Sequence, residues 1–167
     1  MTAVLQYFWR LSLLQAHPSQ VPTAIWFIAG LLLANLALSV VLSHLLSDEA
    51  PVRMIATAVI AQQAALAGLL WVGLYLRELP DRFLATFTAW LGCDLLITAI
   101  FGALLPLLLS LSDTLPQTLS LVFFFWTIAA CANICRHAFN VSMTMGVVIA
   151  FAAMLFAFAV GQATVTA

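Results

Sequence analysis

Charged side chains are scarce in this 167-residue chain: Asp, Glu, Lys and Arg together make up 7% of it, and lysine is absent. Ordinary soluble domains carry roughly 25% charged residues, so the composition excludes a soluble fold. The five arginines and six acidic residues give a net charge of -1. No basic stripe is present that could follow a phosphate backbone, and we do not expect nucleic acid as a partner.

Sequence motifs that indicate a biochemical activity are also missing. Cys93, Cys131 and Cys135 all lie inside apolar runs, which argues against a secreted disulfide framework. No nucleotide-binding, metal-binding or catalytic motif occurs, and catalysis inside a membrane needs at least a pair of reactive groups. The sequence therefore predicts no cofactor, no metal site and no enzymatic activity.

Long apolar runs make up most of the chain, of which 65% is hydrophobic. A membrane-spanning helix needs about 20 such residues, so the length allows four to six spans. Prolines and polar clusters divide the chain, and Pro22 is placed as the first residue of the first span. The fold class is all-α, a polytopic transmembrane bundle of about five helices preceded by a short interfacial amphipathic helix. The predicted spans are 22–46, 52–76, 83–109, 118–135 and 141–160.

Residues 1–21 are predicted to form the interfacial helix and a linker, with residues 22–167 as the bundle. Thr2, Gln6 and Arg10 are spaced by four, and apolar residues fill the rest of the helical wheel. This pattern is typical of a helix that lies in the membrane interface. The alternative is a cap that packs on the bundle.

Arginine positions predict the orientation, because arginines near span ends stay in the cytoplasm. Five spans place Arg10, Arg77, Arg82 and Arg136 on one face and Arg53 on the other. We therefore expect a cytoplasmic N-terminus. His137 would lie beside these arginines on the cytoplasmic face.

Asp94 is the leading candidate for a functional site. It lies near the middle of the third span, where a carboxylate costs about 2.5–3.5 kcal/mol to insert, so it must face protein or water. Asn35, Gln62 and Gln63 are expected at the same depth, and the four residues are predicted to form a midplane polar layer. Asp94 is either a proton-linked or substrate-contacting group, or a hydrogen-bond pin between helices.

Small residues in the first two spans are predicted to let helices approach closely. They are Ala29, Gly30 and Ala34, and then Ala64, Ala65, Ala67 and Gly68.

Three short segments carry a resemblance to a known family. They are Trp9 to Leu14 followed by Pro18 to Pro22, Arg82 to Leu84, and Ile134 to Phe139. With these segments and the five-span layout, the chain resembles the Yip-domain family of small multi-spanning membrane proteins, and most of all its bacterial inner-membrane members. The resemblance implies an inner-membrane location. Eukaryotic relatives contact small GTPases through a long cytoplasmic N-terminal region that this sequence lacks, so that activity is not carried over.

Two functions are compatible with the sequence. The first is a non-enzymatic membrane scaffold, adaptor or accessory subunit, whose partners would be the lipid bilayer and other membrane proteins or further copies of itself. The second is a small transporter or channel-like protein that uses the polar layer around Asp94. A water-filled cavity that reaches Asp94 would favour the second function, and a dry, sealed bundle with a lipid-facing aromatic patch would favour the first.

Overall fold

A computed structural model describes residues 2–18, 21–46, 51–111 and 115–166. Six helices occur in these ranges: α1 Thr2–Ser12, α2 Ile25–Leu46, α3 Val52–Leu76, α4 Phe83–Leu111, α5 Leu115–Phe139 and α6 Met143–Thr166. A short 3-10 turn, Pro80–Arg82, precedes α4. The predicted turns at 47–50 and around Asp113 fall partly or wholly outside the described residues.

Helices α2 to α6 are each long and apolar enough to cross a membrane. The chain is thus a multi-pass membrane protein, and the prediction of a helical bundle with five spans after a short helix is confirmed. The predicted boundaries are less accurate. Pro22 is not the first residue of a helix, because residues 22–24 are non-helical and α2 begins at Ile25.

The last two helices are longer than the sequence predicts. Helix α5 does not stop at Cys135 but continues through Arg136 and His137 to Phe139, and α6 runs on to Thr166. The turn between them occupies only residues 140–142. The polar residues at 136 and 137 do not break the helix, because arginine and histidine are favourable in the last turn of a helix.

Three helices end in the same way. Leu14, Glu78 and Asn140 follow α1, α3 and α5 with φ of 62°, 59° and 53°. After α5, the Val141 amide donates to the Arg136 carbonyl at 3.1 Å, and Leu79 and Gln15 make the equivalent bonds to Leu74 and Arg10. These are Schellman caps, which usually place glycine in the left-handed position. Each cap reverses or redirects the chain within a few residues.

Helix α4 is the centre of the bundle. Its residues from Thr86 to Cys93 are all buried, so neighbours cover every side of the helix. Helices α1, α2, α3 and α5 pack around it, and α6 packs against α3 and α5. A central helix places its middle residues, including Asp94, within reach of several other helices.

Glycines in α6 allow the closest contacts between helix backbones. A Cβ atom on Gly146 would lie 2.4 Å from the Ala132 carbonyl oxygen, and one on Gly161 would lie 3.1 Å from the Ala58 carbonyl oxygen. Gly30 and Gly68 have no neighbouring atom within 4 Å of that position. The prediction that Gly30 and Gly68 are packing positions was therefore wrong, because composition does not show which way a residue faces in a uniformly apolar helix.

Helix α1 packs on the flank of the bundle. Phe8 and Leu11 are buried against α4 and α5, and the Trp126 indole Nε1 donates to the Ser12 carbonyl at 2.9 Å. The Phe8 ring lies on Gly92, the tenth residue of α4, which is about 14 Å from the start of that helix. Helix α1 thus reaches well along the bundle. Its place in the membrane interface stays a prediction.

Candidate functional site

The structure brings the four residues of the predicted polar layer together. Each is the eleventh or twelfth residue of its helix: Asn35 in α2, Gln62 and Gln63 in α3, and Asp94 in α4. At a rise of about 1.5 Å per residue, they lie near the middle of their helices. The depth expected from the sequence is therefore consistent with the bundle geometry.

A chain of hydrogen bonds joins three of these side chains. The Gln63 Nε2 amide donates to Asn35 Oδ1 at 2.9 Å, and the Asn35 Nδ2 amide donates to Asp94 Oδ2 at 2.8 Å. Asn35 is almost fully buried, with 1% of its surface exposed, so both of its polar atoms need partners. Helices α2, α3 and α4 are connected through this one asparagine.

Two oxygens of these hydrogen-bonded side chains accept no hydrogen bond from a described residue. Gln63 Oε1 is buried and has no hydrogen-bond partner in the described part of the structure. Asp94 uses Oδ2 for Asn35, and its second oxygen accepts no hydrogen bond from a described residue. Burying an acceptor such as Gln63 Oε1 without a partner costs about 1–3 kcal/mol. The polar layer thus has a capacity for hydrogen-bond donors that the described protein atoms do not fill.

A cavity of about 470 Å³ borders the polar layer. Gln62, Gln63 and Asp94 form its polar side. Its other walls are apolar side chains from α3, α4, α5 and α6: Leu66, Trp90, Phe124, Met154, Leu155, Ala157 and Phe158. This volume is within the range of pockets that hold small organic molecules.

The rim of the cavity lies on the side of the bundle. Phe124, Leu155 and Phe158 are all more than a third exposed, and Leu155 and Phe158 lie near the middle of α6. Side chains at that height on a spanning helix face lipid. The cavity is therefore accessible from the flank, at the level where a bilayer would be most apolar.

The residues predicted for the cytoplasmic face also come together, with one exception. Arg82 Nη1 lies 3.0 Å from the His137 carbonyl oxygen, 3.3 Å from that of Ala138 and 3.0 Å from Asn140 Oδ1. Arg77 Nη2 donates to the Phe139 carbonyl at 3.1 Å. Two arginines therefore satisfy the carbonyls that the end of α5 leaves free.

Arg136 is the exception, because its side chain is exposed and makes no hydrogen bond to the described residues.

His137 lies beside His17, with 4.2 Å between the ring centroids. These rings line a smaller cavity of about 270 Å³ together with Pro18, Arg82, Ala85, Thr86, Ala138 and Asn140. Residues from three distant segments, Pro18, Arg82 and His137, thus meet at one end of the bundle.

Sequence reasoning did not find the apolar walls of the larger cavity. Trp90 is one helical turn before Asp94 and was open to prediction from that spacing. Phe124 and Met154 come from distant segments, and nothing in their local sequence marks them.

Among the described residues, no three His, Cys, Asp or Glu side chains are grouped to hold a metal ion.

No protein-family model, curated protein or solved structure matches the chain.

Proposed function

We propose that this protein binds a small molecule inside the bilayer and acts as a small transporter-like protein. One observation carries the proposal: the cavity of about 470 Å³ that reaches Asp94 and the amides of Gln62 and Gln63. A sealed bundle would have no such space. Gln63, which lines this cavity, also has an oxygen, Oε1, without a described partner.

Native mass spectrometry of the purified protein tests this function, because it detects any bound molecule by its mass. We expect the wild-type protein to retain a bound small molecule after gentle release from detergent or nanodiscs. The Asp94→Asn variant should lose this mass, because the substitution removes the acid group that borders the cavity. Asp81→Asn changes an exposed acid outside the cavity and serves as the matched control. Equal occupancy in wild type and Asp94→Asn would contradict the proposal.

A non-enzymatic scaffold is the second candidate, and a different observation favours it. Helix α1 buries Phe8 on Gly92 but leaves Gln6 and Arg10 exposed on its outer side. An arginine at that level of a spanning bundle needs water, headgroups or a protein partner. A membrane partner that covers the outer side of α1 would supply this contact.

Site-specific photo-crosslinking in native membranes tests the scaffold. A photoreactive residue at Gln6 should give one reproducible protein adduct, and the adduct should disappear with Arg10→Glu. A probe at exposed Gln117 in α5 is the control for random collision. Adducts with lipid alone at Gln6 would rule out a protein partner at this surface.

The bacterial inner-membrane location, the cytoplasmic N-terminus and the Yip-domain relationship remain part of the proposal. The arginines that support this orientation are at chain positions 10, 77, 82 and 136. The bound carbonyls at the end of α5 give Arg77 and Arg82 a structural role as well.

A further inference from the structure

We infer that the cavity beside Asp94 takes an amphiphilic amine: a protonated ammonium head that carries N–H groups, attached to an apolar body. This inference rests on the proposed function and specifies its ligand. Three features of the cavity lead to it: the direction of the hydrogen bonds, the acid group of Asp94 and the nature of the walls.

The direction of the hydrogen bonds determines what the ligand must offer. An amide places its NH2 group, and not its oxygen, toward a carboxylate, so Asn35 Nδ2 faces Asp94 and Asn35 Oδ1 faces away. Asn35 Oδ1 then requires the Gln63 Nε2 amide as its donor. This leaves Gln63 Oε1 as a buried acceptor without a described partner, and Gln63 and Asp94 both line the cavity. A ligand that fits must therefore donate hydrogen bonds.

The charge balance favours a cation. No arginine or histidine is among the residues that line this cavity, so Asp94 has no protein cation there. A cation in the cavity would pair with the Asp94 carboxylate, and hydrogen bonds within such a pair offset part of the cost of burying both charges. A carboxylate or phosphate ligand would add a second negative charge and find no positive group. A neutral alcohol would supply a donor but no charge.

The walls accept an apolar body next to such a head. Trp90 and Phe124 come from α4 and α5, and Phe158 from α6. Aromatic faces attract ammonium groups, and they also pack well against rings and alkyl chains. The opening between exposed side chains on the flank gives a ligand dissolved in the bilayer a direct route to Asp94.

A matched series of head groups on one body tests the inference. Phenylbutylamine, trimethyl(phenylbutyl)ammonium, phenylbutanol and phenylbutyrate have the same phenylalkyl body to within one methylene group and differ mainly in charge and in donors. Each is titrated calorimetrically into nanodiscs with wild-type protein, and empty nanodiscs give the background of partitioning. We expect saturable binding that is strongest for phenylbutylamine, weaker for the trimethyl compound and the alcohol, and absent for phenylbutyrate.

Two variants locate the bound amine. Asp94→Asn should weaken phenylbutylamine binding by about tenfold or more, as loss of a charge partner does in buried sites. Gln63→Leu removes the unpartnered oxygen, so it should reduce the preference for phenylbutylamine over the trimethyl compound. Asp81→Asn and Gln117→Leu are the exposed controls and should bind as the wild type does.

Several outcomes would overturn the inference: no saturable binding of phenylbutylamine to the wild type, equal binding of phenylbutyrate, or binding that Asp94→Asn leaves unchanged. The comparison of head groups needs only the wild-type protein, so it remains valid if a variant fails to fold. A bound mass that depends on Asp94, found together with no amine binding, would keep the proposed function and reject the ligand class. Absence of both would reject both.

Discussion

Asp94 combines a hydrogen-bonding role with an acid group, and the two can be separated by substitution. Its Oδ2 atom accepts from Asn35, which is buried between three helices. Asparagine at position 94 retains an acceptor of similar shape, whereas leucine retains none. The two substitutions therefore remove different properties of the same side chain.

We expect Asp94→Leu to lower the free energy of unfolding by about 0.6 kcal/mol, and by no more than about 1.7, because hydrogen bonds inside membrane proteins contribute such amounts. Asp94→Asn should have a smaller effect. Unfolding by a denaturing detergent, followed by circular dichroism, measures both. The exposed residue Asp81 gives matched controls in Asp81→Leu and Asp81→Asn. Equal losses for the two Asp94 variants would show that the bond to Asn35 contributes no stability.

At the residue level, the sequence predicted the polar layer but not the cavity beside it. Asn35, Gln63 and Asp94 stand out because each is a polar residue in the middle of a long apolar run, and counting from the span ends gives their depth. The walls could not be predicted in this way. Phe124 and Phe158 are apolar residues among apolar residues, so the sequence contains no signal for the direction each one faces.

Helix α1 depends on one glycine for its contact with the bundle. A Cβ atom at Gly92 would lie 2.1 Å from Phe8 Cε1, closer than any real contact. Gly92→Ala should therefore push α1 away from α4, at a cost of about 1–3 kcal/mol typical of overpacking. Hydrogen exchange of the α1 amides measures the change, and they should exchange faster than in the wild type.

Gly30 and Gly68 provide controls for this substitution. Neither has an atom within 4 Å of the position that a Cβ would take. Alanine there should leave α1 protected, and it should raise helix stability slightly because glycine is a poor helix former. Unchanged exchange of α1 in Gly92→Ala would mean that Phe8 adjusts without cost.

The end of α5 is stabilised by Arg82, whose guanidinium contacts the carbonyls of His137 and Ala138 and the side chain of Asn140. We expect Arg82→Gln to lower the free energy of unfolding by about 1–2 kcal/mol, since hydrogen bonds from a charged donor are lost. Amides in the turn at residues 140–142 should also exchange faster. Arg136→Gln is the control, because Arg136 is exposed and has no such bonds to the described residues. If both substitutions have similar effects, the stability comes from the positive charge of the arginines and not from hydrogen bonds to the end of α5.

For the whole molecule, composition and length were enough to predict five spans, and local chemistry decided their ends. The third span shows that hydrophobicity does not give the exact end of a helix. It was predicted as 83–109, and α4 runs from Phe83 to Leu111 with Pro106 inside it. Helix ends depend on caps such as the one at Asn140, which involves a main-chain conformation and two distant arginines. Neither can be read from hydrophobicity.

The orientation of the bundle is the last prediction, and cysteine labelling of the intact protein tests it. Cys93, Cys131 and Cys135 are fully buried and small, so alanine can replace them to give a background without thiols. Single cysteines then replace Glu78 and Asn140 at one end of the bundle, and Arg53 and Gln117 at the other, all of which are exposed. Because arginines near span ends favour the cytoplasm, a membrane-impermeant thiol reagent should label positions 53 and 117 in intact cells. Positions 78 and 140 should react only after the membrane is opened. If position 140 is labelled from outside and position 117 is protected, the bundle has the opposite orientation. If positions 78 and 117 are both labelled from the same side, the five-span bundle itself is contradicted.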